Sequence, residues 1–527
     1  MRKIFRRQDW VAFALITLLT YIVIFYTMVH WIGSSDARFH PFTFWLISLI
    51  FAGKLVISQS RWWFLPFMAA PIAKPPAPGL RVGVATTFVA GAESIEMLEE
   101  SVSAMIAMDY PHDTWVLDEE DSPEVRRLCS RLGAMHFSRK NLTNYQAESG
   151  TYQRRSKHGN YNSWLNEIGF GRFDIITTFD PDHIPTSNFL TEVLGFFDDS
   201  EIGYVQAAQA YYNQGASFIA RGAAEETYSY YSSTQMFCYA AGYPVITGCH
   251  STHRASALKQ VGGLAAHDAD DLLITLLYRV SGWKGVYVPK ILARGLTPVD
   301  WEGYFKQQLR WARSVLDIKF RIYPKMASKL PLKEIAVSFL HGFYYLQGIS
   351  TLFILLLLCY MLATGSASSV VNYFISLNFV FLLAVLFVSD LYRQRFYLDR
   401  RTEAGLQWRA GVLQFAKYPY LVMALCHVVT NRRPPYTVTN KSTASRRSIA
   451  PFLPHLAVAG LICVSWLVGL LSGYDLNPVV QAAAGIAVVG TVALAATGLF
   501  RFPDPYPSRS EVPREGGCGK GHFLESS

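Results

Sequence analysis

The chain has 527 residues, 51% of them hydrophobic, 14% aromatic and only 17% charged, which excludes an ordinary soluble enzyme of this length. The formal net charge of +9 collects beside apolar runs instead of forming a basic stripe with interleaved aromatics. That pattern argues for a membrane surface and against nucleic-acid binding.

Residues 11–33 and 41–58 are each nearly uncharged and long enough to cross a hydrocarbon core, which takes about 20 helical residues. Lys54, near the end of the second run, can snorkel to the headgroups. The first run is too long for a cleaved signal peptide, lacks a clear small-residue cleavage site and is followed at once by another span. Residues 61–72 read as lying along the membrane.

Residues 75–328 alternate strand and helix signals, which predicts a mostly parallel α/β sheet with crossover helices. A strand at 81–88 precedes a helix at 93–108, and a second short strand at 114–117 ends at Asp118. Ser122 as N-cap, Pro123 at the first helical position and Gly133 after Leu132 bracket the next helix. Asp118 thus stands at the carboxyl end of a strand, where open α/β sheets bind ligands. A polar segment, 140–157, leads to a helix from about Asn160 and then to the apolar run 173–178, a buried strand followed by Asp180, Pro181, Asp182 and His183.

Side chains two apart on an extended backbone point the same way, so Asp180 and Asp182 can converge on one cation. Hard divalent ions, Mg²⁺ or Mn²⁺, take one or two carboxylates and complete their shell with water and substrate phosphates, so the pair suggests a nucleotide-diphosphate donor. Taken alone, acids at this spacing are more often a solvated turn. Three acids at successive strand ends, Asp118, Asp180 and Asp182, favour a nucleotide site.

Beyond a strand at 202–207 and a Tyr-rich helical stretch to about residue 241 lies Cys249-His250-Ser251-Thr252-His253. This reads as packing or substrate contact, because a structural zinc site wants four ligands. The seven cysteines are scattered without a Cys-x-x-Cys spacing, as expected for a reduced compartment. Asp268, Asp270 and Asp271 precede the apolar run 272–280. Either they favour a helix N-terminus through its dipole, or one is a base that takes a proton from an acceptor hydroxyl.

Gln307, Arg310 and Trp311 fall at i, i+3 and i+4 of a helical pattern and share one face. Arginine offers a planar fork to phosphate, glutamine a neutral donor and tryptophan a flat face to a sugar ring. The same pattern also suits an amphipathic helix under the membrane.

Four further spans are expected at 346–363, 370–390, 450–473 and 478–500, with 330–345 along the membrane. Residues 411–430 carry Lys417 and His427 and read as a helix in the interface, a true span being the alternative. Arg2, Lys3, Arg6 and Arg7 precede the first span, whereas 34–40 holds one arginine, which predicts a cytoplasmic N-terminus and middle segment in an inner (plasma) membrane protein. The expected divisions are 1–74, a membrane pair with an interfacial segment; 75–328, the catalytic domain; 329–500, membrane and interfacial helices; and 501–527, a polar, disordered tail.

Taken together the motifs resemble the processive membrane glycosyltransferases of family 2, cellulose synthase and its relatives. The match runs through Asp118, Lys157-His158-Gly159-Asn160-Tyr161-Asn162, Asp180-Pro181-Asp182-His183, Asp268, Gln307-x-x-Arg310-Trp311 and Tyr436-Thr437-Val438-Thr439-Asn440-Lys441. The order and spacing of several short motifs is far more specific than any one of them. Two plus four spans are also similar to the hyaluronan and chitin-type synthases.

The resemblance implies a GT-A-like domain in which Asp118 contacts the base or ribose, Lys157 the donor phosphates, Asp180 the nucleotide, and Asp182 with Asp180 the metal. It implies Asp268 as general base, Gln307 and Arg310 as holders of the diphosphate, and Trp311 as acceptor platform at a channel mouth. Thr437, Thr439 and Lys441 would belong to a gating loop, 435–441.

The activity implied is inverting transfer of hexose from a nucleotide sugar, UDP-glucose first, to a growing β-linked polysaccharide. The same chain would pass that glycan through the membrane, with accessory export proteins among the partners to expect. Single-sugar transfer to a lipid or short acceptor is the competing enzymatic reading, and a non-catalytic glycan-binding relative the competing one of another class. Three departures stand out: Ala266-His267-Asp268 where relatives have Thr-Glu-Asp, Glu119-Glu120 where a second Asp and a Gly are usual, and Asn440 for Pro.

Overall fold

The computed structural model describes residues 1–33, 41–90, 93–340, 342–366, 373–432 and 447–499. The expected gating loop with Thr437, Thr439 and Lys441, and the expected tail 501–527, lie outside them.

Two long apolar helices come first, α1 (Asp9–Ile32) and α2 (Pro41–Trp63). Their tryptophans satisfy their ring N–H groups across the pair: Trp31 Nε1 donates to Ser48 Oγ at 2.8 Å and Trp62 Nε1 to Thr17 Oγ1 at 2.8 Å. In a medium without water such partners fix the register of two helices.

The strands that follow are β1 (Val82–Phe88), β2 (Asp113–Asp118), β3 (Met135–Phe137), β4 (Ile175–Phe179), β5 (Ile184–Pro185), β6 (Ile202–Tyr211), β7 (His250–Arg254) and β8 (Lys284–Gly295). They form one eight-stranded sheet in the order β3-β2-β1-β4-β7-β6-β8-β5. Pairings β2–β3, β1–β2, β1–β4 and β6–β8 are parallel, whereas β7 runs antiparallel between β4 and β6 and β5 antiparallel on β8.

β7 is the strand that apolar patterning misses. Its His-Ser-Thr-His-Arg sequence has no hydrophobic alternation, yet it is buried in mid-sheet. Cross-strand hydroxyls make that tolerable: Thr177 and Thr252 lie 3.1 Å apart and Thr178 and Ser251 3.0 Å, so each buried hydroxyl has a partner.

The helices of this unit include α3 (Ile95–Ile106), α4 (Pro123–Leu132), α5 (Lys157–Trp164), α6 (Phe218–Glu225), α7 (Asp270–Val280) and α8 (Trp301–Asp317). The cap of α4 forms as its sequence dictates: Ser122 Oγ accepts from Glu124 N at 3.3 Å, and Gly133 takes φ +82°, a conformation that suits glycine.

Then come α9 (Gln347–Thr364), α10 (Tyr373–Arg393), α11 (Trp408–Ala416), α12 (Tyr418–Val429), α13 (Leu453–Leu471) and α14 (Pro478–Thr497). Among the described residues six helices are long and apolar enough to cross a membrane, the architecture of a multi-pass membrane protein. Over 411–430 a single helix was expected. Instead α11 and α12 meet at a 43° bend, where Pro419 lacks the N–H that would continue the ladder. A hydrophobic cluster joins Ile219 of α6 and Tyr304 and Phe305 of α8 to Leu413, Phe452 and Leu494, so the sheet domain and the C-terminal helices share a core.

Candidate active site

The carboxyl ends of β4 and β8 open on one chamber of about 2120 Å³. Asp180 N donates to Cys249 O at 2.8 Å and His183 N to Asp180 O at 3.0 Å, which folds 180–183 into a turn against β7. Asp182, almost fully buried, accepts from Leu296 N at 3.0 Å just beyond β8. Gly295 makes room for this turn, since a Cβ there would stand 2.3 Å from the His183 ring. Ligand atoms of Asp180, Asp182 and His183 lie within 4.8 Å of one another, so two oxygens and one nitrogen can converge on a hard divalent ion.

Lys157 opens α5, whose cap is Ser156 Oγ accepting from Gly159 N at 3.1 Å. Its Nζ donates to Asp180 Oδ1 at 2.5 Å and to Gly248 O at 2.7 Å. Burial disfavours its charge, but Asp180 and Asp270 outweigh burial and hold the ammonium well above the usual lysine range. The chamber therefore contains a fixed cation beside the acidic pair.

Under the pair lie Cys249 and His250, whose Sγ and Nδ1 are 3.3 Å apart. Burial raises a thiol, yet the imidazoles of His250 and His183 prevail and bring Cys249 down to about 5. His183 is likewise opposed by burial, while the Asp182 carboxylate lifts it to about 10. The expectation of packing for 249–253 holds for His253, which bonds Ser251 at 2.8 Å and Tyr278 at 3.0 Å. Cys249 and His250 add a buried group that, with His183, has ligand atoms close enough for a metal.

The other expected residues fall as follows. Gln307, Arg310 and Trp311 line the chamber from α8, and Trp311 is 38% exposed. Asp268 lines it too; its Oδ2 accepts from Arg313 Nη1 at 3.0 Å. His267 Nδ1 accepts from Ala269 N at 3.1 Å, which leaves Nε2 to donate to Asp317 Oδ2 at 3.2 Å. So the residue before Asp268 is an imidazole tied to a carboxylate of α8.

Asp118 is different. Its carboxylate is fully buried and accepts from Glu120 N at 3.1 Å and Ser122 N at 2.5 Å, and it is not on the chamber wall. Those amides belong to the turn into α4, whose donors need an acceptor. Glu119 faces the chamber instead, bound to Arg139 at 2.8 and 3.0 Å. Arg139, fully buried, also donates to the carbonyls of Tyr145 at 3.1 Å, Tyr152 at 3.3 Å, Gln153 at 3.0 Å and Ser156 at 3.5 Å. This one side chain shapes the wall before α5.

Sequence reasoning did not name Arg313, named Glu119 only as a departure from the family pattern, and left Asp270 and Asp271 as alternatives to Asp268. Those two stand in the acidic run with Asp268, so the run itself was the available signal. Burial, with the charge of Asp270 beside it, pushes the Asp271 carboxyl up to about 7.

A parallel-rich sheet with acids at its carboxyl edge, a lysine and a Gln-Arg-Trp helix facing one chamber defines a GT-A-like glycosyltransferase domain. Residues 83–314 match the family model described as glycosyltransferase like family 2. Over 299 residues the chain is 25% identical to Cellulose synthase 1 of Komagataeibacter xylinus, covering 53% of this chain and 18% of that protein. Over 276 residues it is 25% identical to the cellulose synthase catalytic subunit (UDP-forming) of Xanthomonas axonopodis pv. citri (strain 306), covering 48% and 34%.

The chain thus spans at most about a third of the length of these curated relatives. Among solved structures it is similar in fold to the mannosyltransferase PcManGT of Pyrobaculum calidifontis in complex with GDP-Man and Mn²⁺, with a TM-score of 0.51, 16% identity, and 74% of this chain and 98% of that chain covered. Residues 83–314 are thus similar to family 2 glycosyltransferases, cellulose synthase subunits among them, and helices long and apolar enough to cross a membrane flank them on both sides.

Proposed function

We propose that this chain is an inverting glycosyltransferase that adds hexose from a nucleotide sugar, UDP-glucose first, to a growing β-linked glycan and passes it through its own membrane helices. The supporting observation is the single chamber that holds Lys157, Asp180, Asp182, Asp268, Arg310 and Trp311 together and extends to the membrane helices. The catalytic domain and N-terminus would lie in the cytoplasm, where nucleotide sugars are made.

In this reading Lys157, Gln307 and Arg310 bind the donor diphosphate and fix the sugar over the chamber. Asp180 and Asp182, with His183 beside them, would hold Mg²⁺ or Mn²⁺; such an ion, when bound, neutralises charge on the departing diphosphate. Trp311 stacks on the acceptor sugar. Asp268 takes the proton of the acceptor hydroxyl as that oxygen bonds the anomeric carbon and the bond from carbon to diphosphate oxygen breaks. Arg313 keeps Asp268 oriented. Asp118 acts on the donor only through the turn that presents Glu119.

Purified protein with a divalent ion and a panel of labelled UDP-sugars should release UDP from one of them and lengthen a glycan. Asp268→Asn should lower turnover by about 10²–10⁴-fold while UDP still binds. UDP binding with no release from any donor would mean a non-catalytic relative. A second reading, single-sugar transfer to a lipid or short acceptor, is favoured by the chamber's extension between α2 and α10 and is separated by product size.

A further inference from the structure

The chamber has a second end. It runs past the donor residues to the last turns of α2 and α10, where Arg61, Asp390 and Arg393 line it, and on to Val56, Ile57 and Phe387. These three apolar residues are 61%, 37% and 46% exposed and belong to helices long and apolar enough to cross a membrane. The cavity wall therefore includes exposed apolar residues of two candidate spans.

The charges at this end of the chamber are unusual. Arginines in the last turn of a span ordinarily reach outward to the headgroups. Arg393 is instead only 7% exposed, and its Nε is buried without a hydrogen-bond partner. Its Nη2 reaches Asp390 Oδ1 at 3.2 Å, and that carboxylate is 60% exposed. The Arg61 guanidinium makes no hydrogen bond or ion pair among the described residues and lies 6.0 Å from the centroid of the Tyr344 ring; Arg393 and Asp390 are its charged neighbours. Two guanidiniums and one carboxylate therefore share a half-dry wall, with a net positive charge and an unused donor. Both helices end here against the sheet domain, where Trp62 and Tyr392 share a cluster with Val82 and Ile175.

We infer that this end of the chamber is a binding site for a membrane lipid whose headgroup carries a phosphate. Its chains lie against Val56, Ile57 and Phe387, and its phosphate sits between Arg61 and Arg393. Guanidinium forks match phosphate oxygens in geometry and charge, and the unsatisfied Nε gains the acceptor it lacks. This site is separate from the donor residues, and its occupancy does not depend on the proposed transfer reaction.

The test uses the full-length protein in detergent micelles, with bound lipid counted by native mass spectrometry. Phosphatidic acid should be retained and diacylglycerol of the same chains lost. The Arg61→Gln/Arg393→Gln double substitution should weaken phosphatidic acid binding by about tenfold or more. Arg61→Lys/Arg393→Lys should keep part of it. Ile57→Trp, which leaves both charges in place, should weaken binding by filling the mouth. Melting curves identify any variant that fails to fold; should the double Gln variant fail, the Lys pair and Ile57→Trp decide.

Equal retention of diacylglycerol, or undiminished binding in the folded variants, would make the arginines membrane anchors only and overturn the inference. Full displacement of the lipid by millimolar inorganic phosphate would show a free-anion site and overturn the lipid assignment. UDP binding, measured on the same preparation of the parent protein, reports separately on the donor site.

Discussion

Asp180 and Asp182 are two residues apart, yet the fold gives them different company. Asp180 meets Lys157 at 2.5 Å, while Asp182 is held by Leu296 N at 3.0 Å and lies beside His183. The pair was legible in the sequence as two acids at a strand end, but the alternation of an extended backbone is not what brings them together, because the strand stops at Phe179 and 180–183 fold into a turn. The fate of Asp118 was not legible, because a carboxylate at a strand end can face either the ligand or the amides of the following turn, and residue type does not decide between them.

Asp271 carries a prediction at this scale. Its carboxyl is lifted to about 7 by burial and by Asp270, against about 3.9 in an unfolded chain. A raised acid contributes stability that is fully present below the unfolded value and is lost as pH rises through the folded one. Asp271→Asn should therefore melt at a higher temperature than the parent at pH 8, with the difference gone near pH 4. Thermal melts across that range check it, and a pH-independent difference would count against the shift.

Among the elements, the parallel strands and capped helices were legible because apolar runs, Ser122-Pro123 and Gly133 are local signals. β7 was hidden because its burial is made tolerable by hydroxyls on a strand 70-odd positions earlier in the chain, such as Thr177 opposite Thr252. The segment 140–157 read as featureless for a related reason: its order comes from Arg139 bonding backbone carbonyls, which leaves no pattern in side chains. Removing that guanidinium would strand the mostly buried Glu119. Arg139→Met should cost about 3–5 kcal/mol, as breaking a buried pair from one side does, and Arg139→Met/Glu119→Gln should recover part of it. Chemical denaturation of both variants, with proteolysis of the segment, measures this.

For the whole molecule, the spans were legible because hydropathy is read along one dimension, and Lys417 stood out as a charge in an apolar run. Its partner did not: Lys417 Nζ meets Glu226 Oε1 at 2.7 Å, and Tyr304 OH donates to Glu226 Oε2 at 2.7 Å. This buried group joins the bend between α11 and α12 to the helices around the chamber. Lys417→Met alone should destabilise the protein by about 3–5 kcal/mol, and Lys417→Met/Glu226→Gln by clearly less. Melting in detergent tests it; equal losses in both variants would show that the pair is not coupled.

The grip of Arg139 on four carbonyls bears on how such a protein can change. Carbonyls are the same whatever the residue, so the wall before α5 is held in shape by something that side-chain replacement there leaves intact. Gln153, which lines the chamber, can thus be exchanged without recasting the loop, whereas Arg155 at φ +53° accepts only residues that tolerate that backbone. A lineage, or an engineer, could change the chemistry of this stretch of chamber wall while its shape stays as it is.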